Sequence, residues 1–110
     1  MIPKLALSVR QPWAWAIIHA GKTIENRNWH TRSPSRRNQP DGLVCIHAAQ
    51  GFTRAEYEHA AEYITRISGI ACPPPHELVR GAIIGSVDII GHTTNTPNPW
   101  FFGPYGIRLA

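Results

Sequence analysis

Gly21-Lys22-Thr23-Ile24-Glu25-Asn26-Arg27 gathers three charged groups into one short stretch of a 110-residue chain in which only 16% of residues are charged. Continued through Asn28 and Trp29, it sets β-branched and aromatic residues at intervals, which reads as a strand over residues 23–29. Side chains alternate faces along a strand, so Glu25 and Arg27 share a face with Thr23 and Trp29, while Lys22 sits at the turn that Gly21 opens. A carboxylate between a guanidinium and an ammonium can pair with both and leave donors for a polar or anionic ligand. The plainer reading is a surface ion pair on an exposed strand, worth about 0–1 kcal/mol.

Upstream, Leu5, Leu7 and Val9 alternate with Lys4, Ala6, Ser8 and Arg10, so residues 4–10 form a half-buried strand with Ser8 and Arg10 on its polar face. Pro12 suits the first turn of a helix, where its missing amide costs nothing, and Gly21 suits the end of that helix after about Ala20. Trp13, Ala14, Trp15, Ala16, Ile17 and Ile18 make it apolar on nearly every side, so it is buried or walls a cleft.

Downstream, residues 30–42 hold Arg32, Arg36 and Arg37 among Thr, Ser, Pro, Asn and Gln with no hydrophobic periodicity. Irregular segments of this length are either functional, here a basic flap for phosphates, or solvated loops. Residues 43–48 read as a buried strand, with His47 on the same face as Cys45 and no partner for the imidazole evident. Thr53-Arg54-Ala55-Glu56 is a capping box, and Tyr57, Ala60, Ala61, Ile64 and Ile67 follow at helical spacing, giving a helix over residues 54–67 that ends before Gly69. Cys72-Pro73-Pro74-Pro75 is an extended connector. Residues 82–90 are the strongest strand, with Ile83, Val87 and Ile89 on one face and Ile84, Ser86, Asp88 and Ile90 on the other. Gly85 within it signals a bulge, a bend or a close approach. Trp100-Phe101-Phe102-Gly103-Pro104-Tyr105-Gly106 packs aromatics beside glycines ahead of a last strand at residues 107–109. The order strand, helix, strand, strand, helix, strand, strand indicates an α+β fold in a single domain.

Basic residues exceed acidic ones by 11 to 7, and the surplus lies before residue 43, where Lys4, Arg10, Lys22, Arg27, Arg32, Arg36 and Arg37 face only Glu25 and Asp41. A basic half favours phosphate-bearing partners. The two cysteines and six histidines show no metal-ligand spacing, so neither a metal nor another cofactor is expected. With no leader segment and no apolar run of membrane-spanning length, the expectation is a cytoplasmic protein with reduced thiols and no membrane partner.

Four segments resemble the ASCH domain family, in the family's order and over nearly the whole chain. They are Leu7-Ser8-Val9-Arg10-Gln11-Pro12-Trp13-Ala14-Trp15-Ala16; Gly21-Lys22-x-x-Glu25-x-Arg27-x-Trp29; Gly81-Ala82-Ile83-Ile84-Gly85 with Val87-Asp88; and Pro99-Trp100-Phe101-Phe102-Gly103-Pro104-Tyr105-Gly106. The family's G-x-K-x-x-E-x-R signature is one residue shorter here, because Gly21 directly precedes Lys22. The resemblance implies a fold related to the PUA domain: a small bent β-barrel with two main helices around it and a cleft for RNA or a modified nucleobase or nucleoside, working as a monomer or weak homodimer. On such a barrel Ser8, Arg10, Gln11, Lys22, Glu25, Arg27 and the loop from Trp100 to Tyr105 converge, Trp13 and Trp29 form aromatic walls, and Arg32, Arg36 and Arg37 reach phosphates. Stacking is worth about 1–3 kcal/mol per base, and a carboxylate can accept from an exocyclic amine. The family also implies two alternatives. One is a small hydrolase, either a ribonuclease or an amidohydrolase of acetylated cytidine, with Lys22 and Glu25 as its catalytic groups and, for the ribonuclease, His47 to move a proton; Glu25 stands where the amidohydrolases carry Thr. The other is a protein-interaction module of a transcription or translation regulator.

Overall fold

The computed structural model describes residues 5–28 and 42–110. In chain order these form β1 (Ala6–Val9), α1 (Trp13–His19), β2 (Ile24–Arg27), β3 (Gly42–Ala48), α2 (Arg54–Ser68), a single 3₁₀ turn at Pro75–Glu77, β4 (Ala82–Thr93) and β5 (Tyr105–Leu109). The fold is therefore α+β with the expected alternation of elements. One mixed sheet runs in the order β1-β3-β4-β5-β2, with β1 parallel to β3 and every other pair antiparallel.

The sheet is not closed. β1 and β2 occupy its two edges, each four residues long and each laddered to one neighbour. A side chain links them instead: Arg27 Nη2 of β2 donates to the carbonyl oxygen of Ser8 in β1 at 2.8 Å. The curvature that brings the edges this close comes from β4. Its first part, Ala82–Ile89, pairs with β3, and its last part, Ile89–Thr93, pairs with β5. The strand thus runs three residues past the expected end at residue 90.

Two register shifts accompany this change of partner, one opposite Ile46/His47 and one between Ile89 and Gly91. An extra residue in one strand reverses which side chains face inward. Ile84 therefore packs against the core while Ile83 turns to solvent, which corrects the face assignment made from simple alternation. Ile90, the extra residue of the second shift, is also exposed. Gly85 lies between the shifts, where a Cβ would stand 2.6 Å from Ile18 Cδ1, so its bare backbone lets α1 lie against the strand.

The apolar surround of α1 has a direct cause, because the helix separates two hydrophobic clusters. Ala14 and Ile17 join Leu7, Val9, Val44, Ile46, Ile89, Ile107 and Leu109 on the sheet. Ala16 and Ala20 join Ile24, Ile64 of α2, and Trp100. α2 opens with the expected capping box, Thr53 Oγ1 accepting from the Glu56 amide while Glu56 accepts from the Thr53 amide, and ends at Gly69. Among the described residues no helix is long and apolar enough to cross a membrane.

Candidate functional site

A cleft of about 290 Å³ opens beside the seam between β1 and β2, and Lys22, Glu25 and Arg27 form its charged base. Gly21 follows α1 with φ +73°, a left-handed turn that glycine adopts without steric penalty, and the Lys22 amide then bonds back to the Ala16 carbonyl. This turn carries Lys22 inward under Trp13. Only 3% of the residue is exposed, its Nζ lies 5.5 Å from the Trp13 ring centre, and the ammonium donates to the Ile24 carbonyl. Glu25 is 8% exposed, with Oε1 3.8 Å from Lys22 Nζ and Oε2 3.1 Å from Arg27 Nη2. Lys22 and Glu25 are thus a buried pair with the half-buried Arg27 at its edge, not a surface pair.

Burial governs the titration of both inner groups. It pulls the Lys22 ammonium from 10.5 down to about 8, opposed by Glu25 and reinforced by Arg27. It pushes the Glu25 carboxyl upward despite the pull of Lys22 and Arg27. Desolvation outweighs mutual attraction, which is the usual balance for ion pairs withdrawn from water.

Aromatic side chains make the wall. Phe102, 51% exposed, meets Trp13 edge to face with ring centres 5.6 Å apart. Asn26 fixes Phe102 in place: its Oδ1 accepts from the Phe102 and Gly103 amides at 2.7 and 3.1 Å, and its Nδ2 donates to the Trp100 carbonyl at 2.9 Å. β1 contributes Ser8 and Val9 to the lining, and Arg10 follows directly after the strand. Arg10 is tied to Glu56 of α2 at 3.0 Å, and the Ser8 hydroxyl lies 2.7 Å from His47 Nδ1, the partner that the sequence did not reveal for this imidazole.

Of the residues singled out from sequence, Ser8, Arg10, Trp13, Lys22, Glu25 and Arg27 meet at this cleft. Gln11 is buried elsewhere, donating to the Val79 carbonyl and accepting from the Trp15 amide, so it ties α1 to the segment before β4. Trp100 is enclosed in the cluster with Ile24 and Ile64 and does not line the cleft. Tyr105 stands opposite Arg27 in the β2–β5 ladder and is likewise outside the lining. Trp29, Arg32, Arg36 and Arg37 lie outside the described residues. Asn26 lines the cleft and was not expected there; Phe102 comes from the Trp100–Tyr105 loop expected at the cleft but was not singled out within it. Alternation placed Asn26 on the face opposite its neighbours, and nothing in the aromatic run distinguishes Phe102 from the larger Trp100.

An open, bent α+β sheet with a charged, aromatic-walled cleft at its seam defines the class. The family model described as the ASCH domain matches residues 7–98, and the chain belongs to this family. The match takes in Lys22, Glu25 and Arg27 and stops short of Phe102. No curated protein matches the chain.

Proposed function

We propose that the cleft binds a nucleobase or nucleoside, modified or carried within single-stranded RNA. The observation that carries this reading is the buried Lys22–Glu25 pair with the half-buried Arg27 beside it, set against the Trp13–Phe102 wall. A base offers a flat π-face to the aromatics and a hydrogen-bonding edge to the charged groups. Glu25 accepts from an exocyclic amine, Lys22 donates to a ring carbonyl, and Arg27 reaches a carbonyl or a phosphate. A volume of about 290 Å³ lies just below the roughly 300–1,000 Å³ range of small-molecule pockets, which favours one base with its sugar over a duplex. The bent sheet with two helices is in keeping with a PUA-like barrel left open at the β1/β2 seam and with a single domain. In this reading Arg32, Arg36 and Arg37 supply phosphate contacts.

The hydrolase alternative draws on one observation, the lowering of Lys22 to about 8, which leaves a usable fraction of free amine near neutral pH. Incubating the protein and Lys22→Ala with a mixed pool of RNA and modified nucleosides, followed by mass spectrometry of retained and converted species, separates the readings. Lysine-dependent retention without conversion supports binding alone. Lysine-dependent conversion makes the protein a hydrolase and identifies the bond. Neither retention nor conversion rejects the cleft as a nucleoside site and favours the protein-interaction module.

A further inference from the structure

Ser8 and His47 are neighbours because β1 and β3 run parallel with these two residues in direct register. The 2.7 Å separation of Ser8 Oγ from His47 Nδ1 is full hydrogen-bond contact. Ser8 also lines the cleft, as does Arg27, whose Nη2 donates to the Ser8 carbonyl oxygen at 2.8 Å. His47 is half-buried on an inner strand, with Ser8 as its register partner on one side and Ile83 on the other. Base recognition by Lys22, Glu25 and Arg27 makes no use of a hydroxyl–imidazole pair.

We propose that Ser8 is a nucleophile with His47 as its general base, and that the pair hydrolyses an ester carried by the ligand of the cleft. The nucleoside character of that ester rests on the binding reading above; the pair itself does not. A serine within hydrogen-bond reach of an imidazole nitrogen is the arrangement that activates the hydroxyl. With the imidazole proton on Nε2, Nδ1 takes the Ser8 proton as Oγ bonds to the carbonyl carbon. The carbonyl oxygen becomes an oxyanion in the cleft that Arg27 also lines, and the guanidinium, shared there with Glu25 Oε2 and the Ser8 carbonyl, is the cation nearest to hand for the developing negative charge. The bond to the leaving alkoxide then breaks, the alkoxide takes the proton from Nδ1, and the acyl group stays on Ser8. Water attacks this acyl carbon while giving a proton to Nδ1; the bond to Oγ breaks and Oγ recovers that proton. Ester and water have become acid and alcohol, with both side chains restored. Among the described residues no carboxylate is bonded to His47, so the pair suits an ester, whose leaving group departs more readily than the amine of an amide.

The test is covalent labelling by a fluorophosphonate, which reacts with activated serines, with the adduct located by peptide mass spectrometry. The expected result is a Ser8 adduct in the wild type and in Ser86→Ala, an exposed-serine control. Labelling slows about 100-fold or more in His47→Gln with an unchanged thermal midpoint, the loss typical of removing a general base. An adduct at Ser8 forming no faster than at Ser86, or one indifferent to a folded His47→Gln, overturns the pair. Protection of Ser8 by a nucleoside mixture supports the ester's nucleoside character. Rapid His47-dependent labelling that nucleosides do not slow upholds the pair and overturns the nucleoside reading.

Discussion

Replacing Lys22 by Met should make the protein more stable while removing ligand binding. In the folded chain the ammonium titrates at about 8 instead of 10.5, and each pH unit between those values corresponds to about 1.36 kcal/mol. At pH 7 both forms of the chain are largely protonated at this residue, so folding carries a penalty of about 3 kcal/mol for burying the charge. The attraction of Glu25 is already contained in that figure. Methionine fills similar volume without the charge and loses the bond to the Ile24 carbonyl, worth about 1 kcal/mol. A net gain of about 2 kcal/mol remains, equivalent to a rise in Tm on the order of 10 °C for a chain of this size. The pH dependence gives a sharper signature. Between about 8 and 10.5 the unfolded chain holds more protons at Lys22 than the folded one, so wild-type stability gains from this residue as pH rises through that window. The advantage of Lys22→Met should accordingly shrink between pH 8 and 10.5. Urea denaturation of both proteins at pH 7, 8, 9 and 10 measures it. A variant less stable than the wild type at pH 7, or a gap that stays constant with pH, would refute the account and make Lys22 part of the fold's support.

Asn26→Ala removes three hydrogen bonds that hold the Trp100–Gly103 segment, for a loss of roughly 2–4 kcal/mol. Nucleoside affinity should drop even where the variant remains folded, because Phe102 is no longer held; calorimetric titration below the melting transition would expose an unaffected site. Gly85→Val forces side-chain atoms into the space of Ile18, and overpacking of this kind costs about 1–3 kcal/mol, read as a lower denaturation midpoint with an unchanged slope. Neutralising Arg32, Arg36 and Arg37 together should weaken RNA binding across sequences and reduce the salt slope by about 2, taking about 0.7 per phosphate contact on a single strand. An unchanged slope removes these arginines from the interface.

Local chemistry made much of this legible in the sequence. The capping box set the start of α2, Gly21 and Gly69 marked helix ends, and two-residue alternation put Glu25 and Arg27 on one face. What alternation could not convey is insertion. The bulges in β4 show no residue signature beyond nearby glycines, yet they reverse the facing of Ile83 and Ile84 and turn the strand from one partner to another. Depth was equally hidden. Lys22 is buried because Trp13, from another element, lies over it, and charge alone favours an exposed lysine. Ser8 and His47 meet only through the β1–β3 register, a pairing across 39 positions that neither strand encodes by itself. Gln11 adjoins the cleft residues in sequence and turns away from them because the Trp15 amide and Val79 carbonyl claim its side chain.

The bond from Arg27 to the Ser8 carbonyl bears on how this chain avoids other chains. An unpaired strand edge is a template on which a foreign strand can grow, and β1 and β2 are both such edges. One guanidinium occupies the acceptor on β1 and rises from β2 itself, so a single side chain obstructs the gap between them. Its Nη2 alone meets both Glu25 Oε2 and the β1 backbone, with its two N–H donors held in the guanidinium plane, an orientation that a lysine's rotating ammonium does not fix. Arg27→Lys would then keep the charge in the cleft and lose the guard on the seam, so that self-association would accompany any change in what the cleft binds.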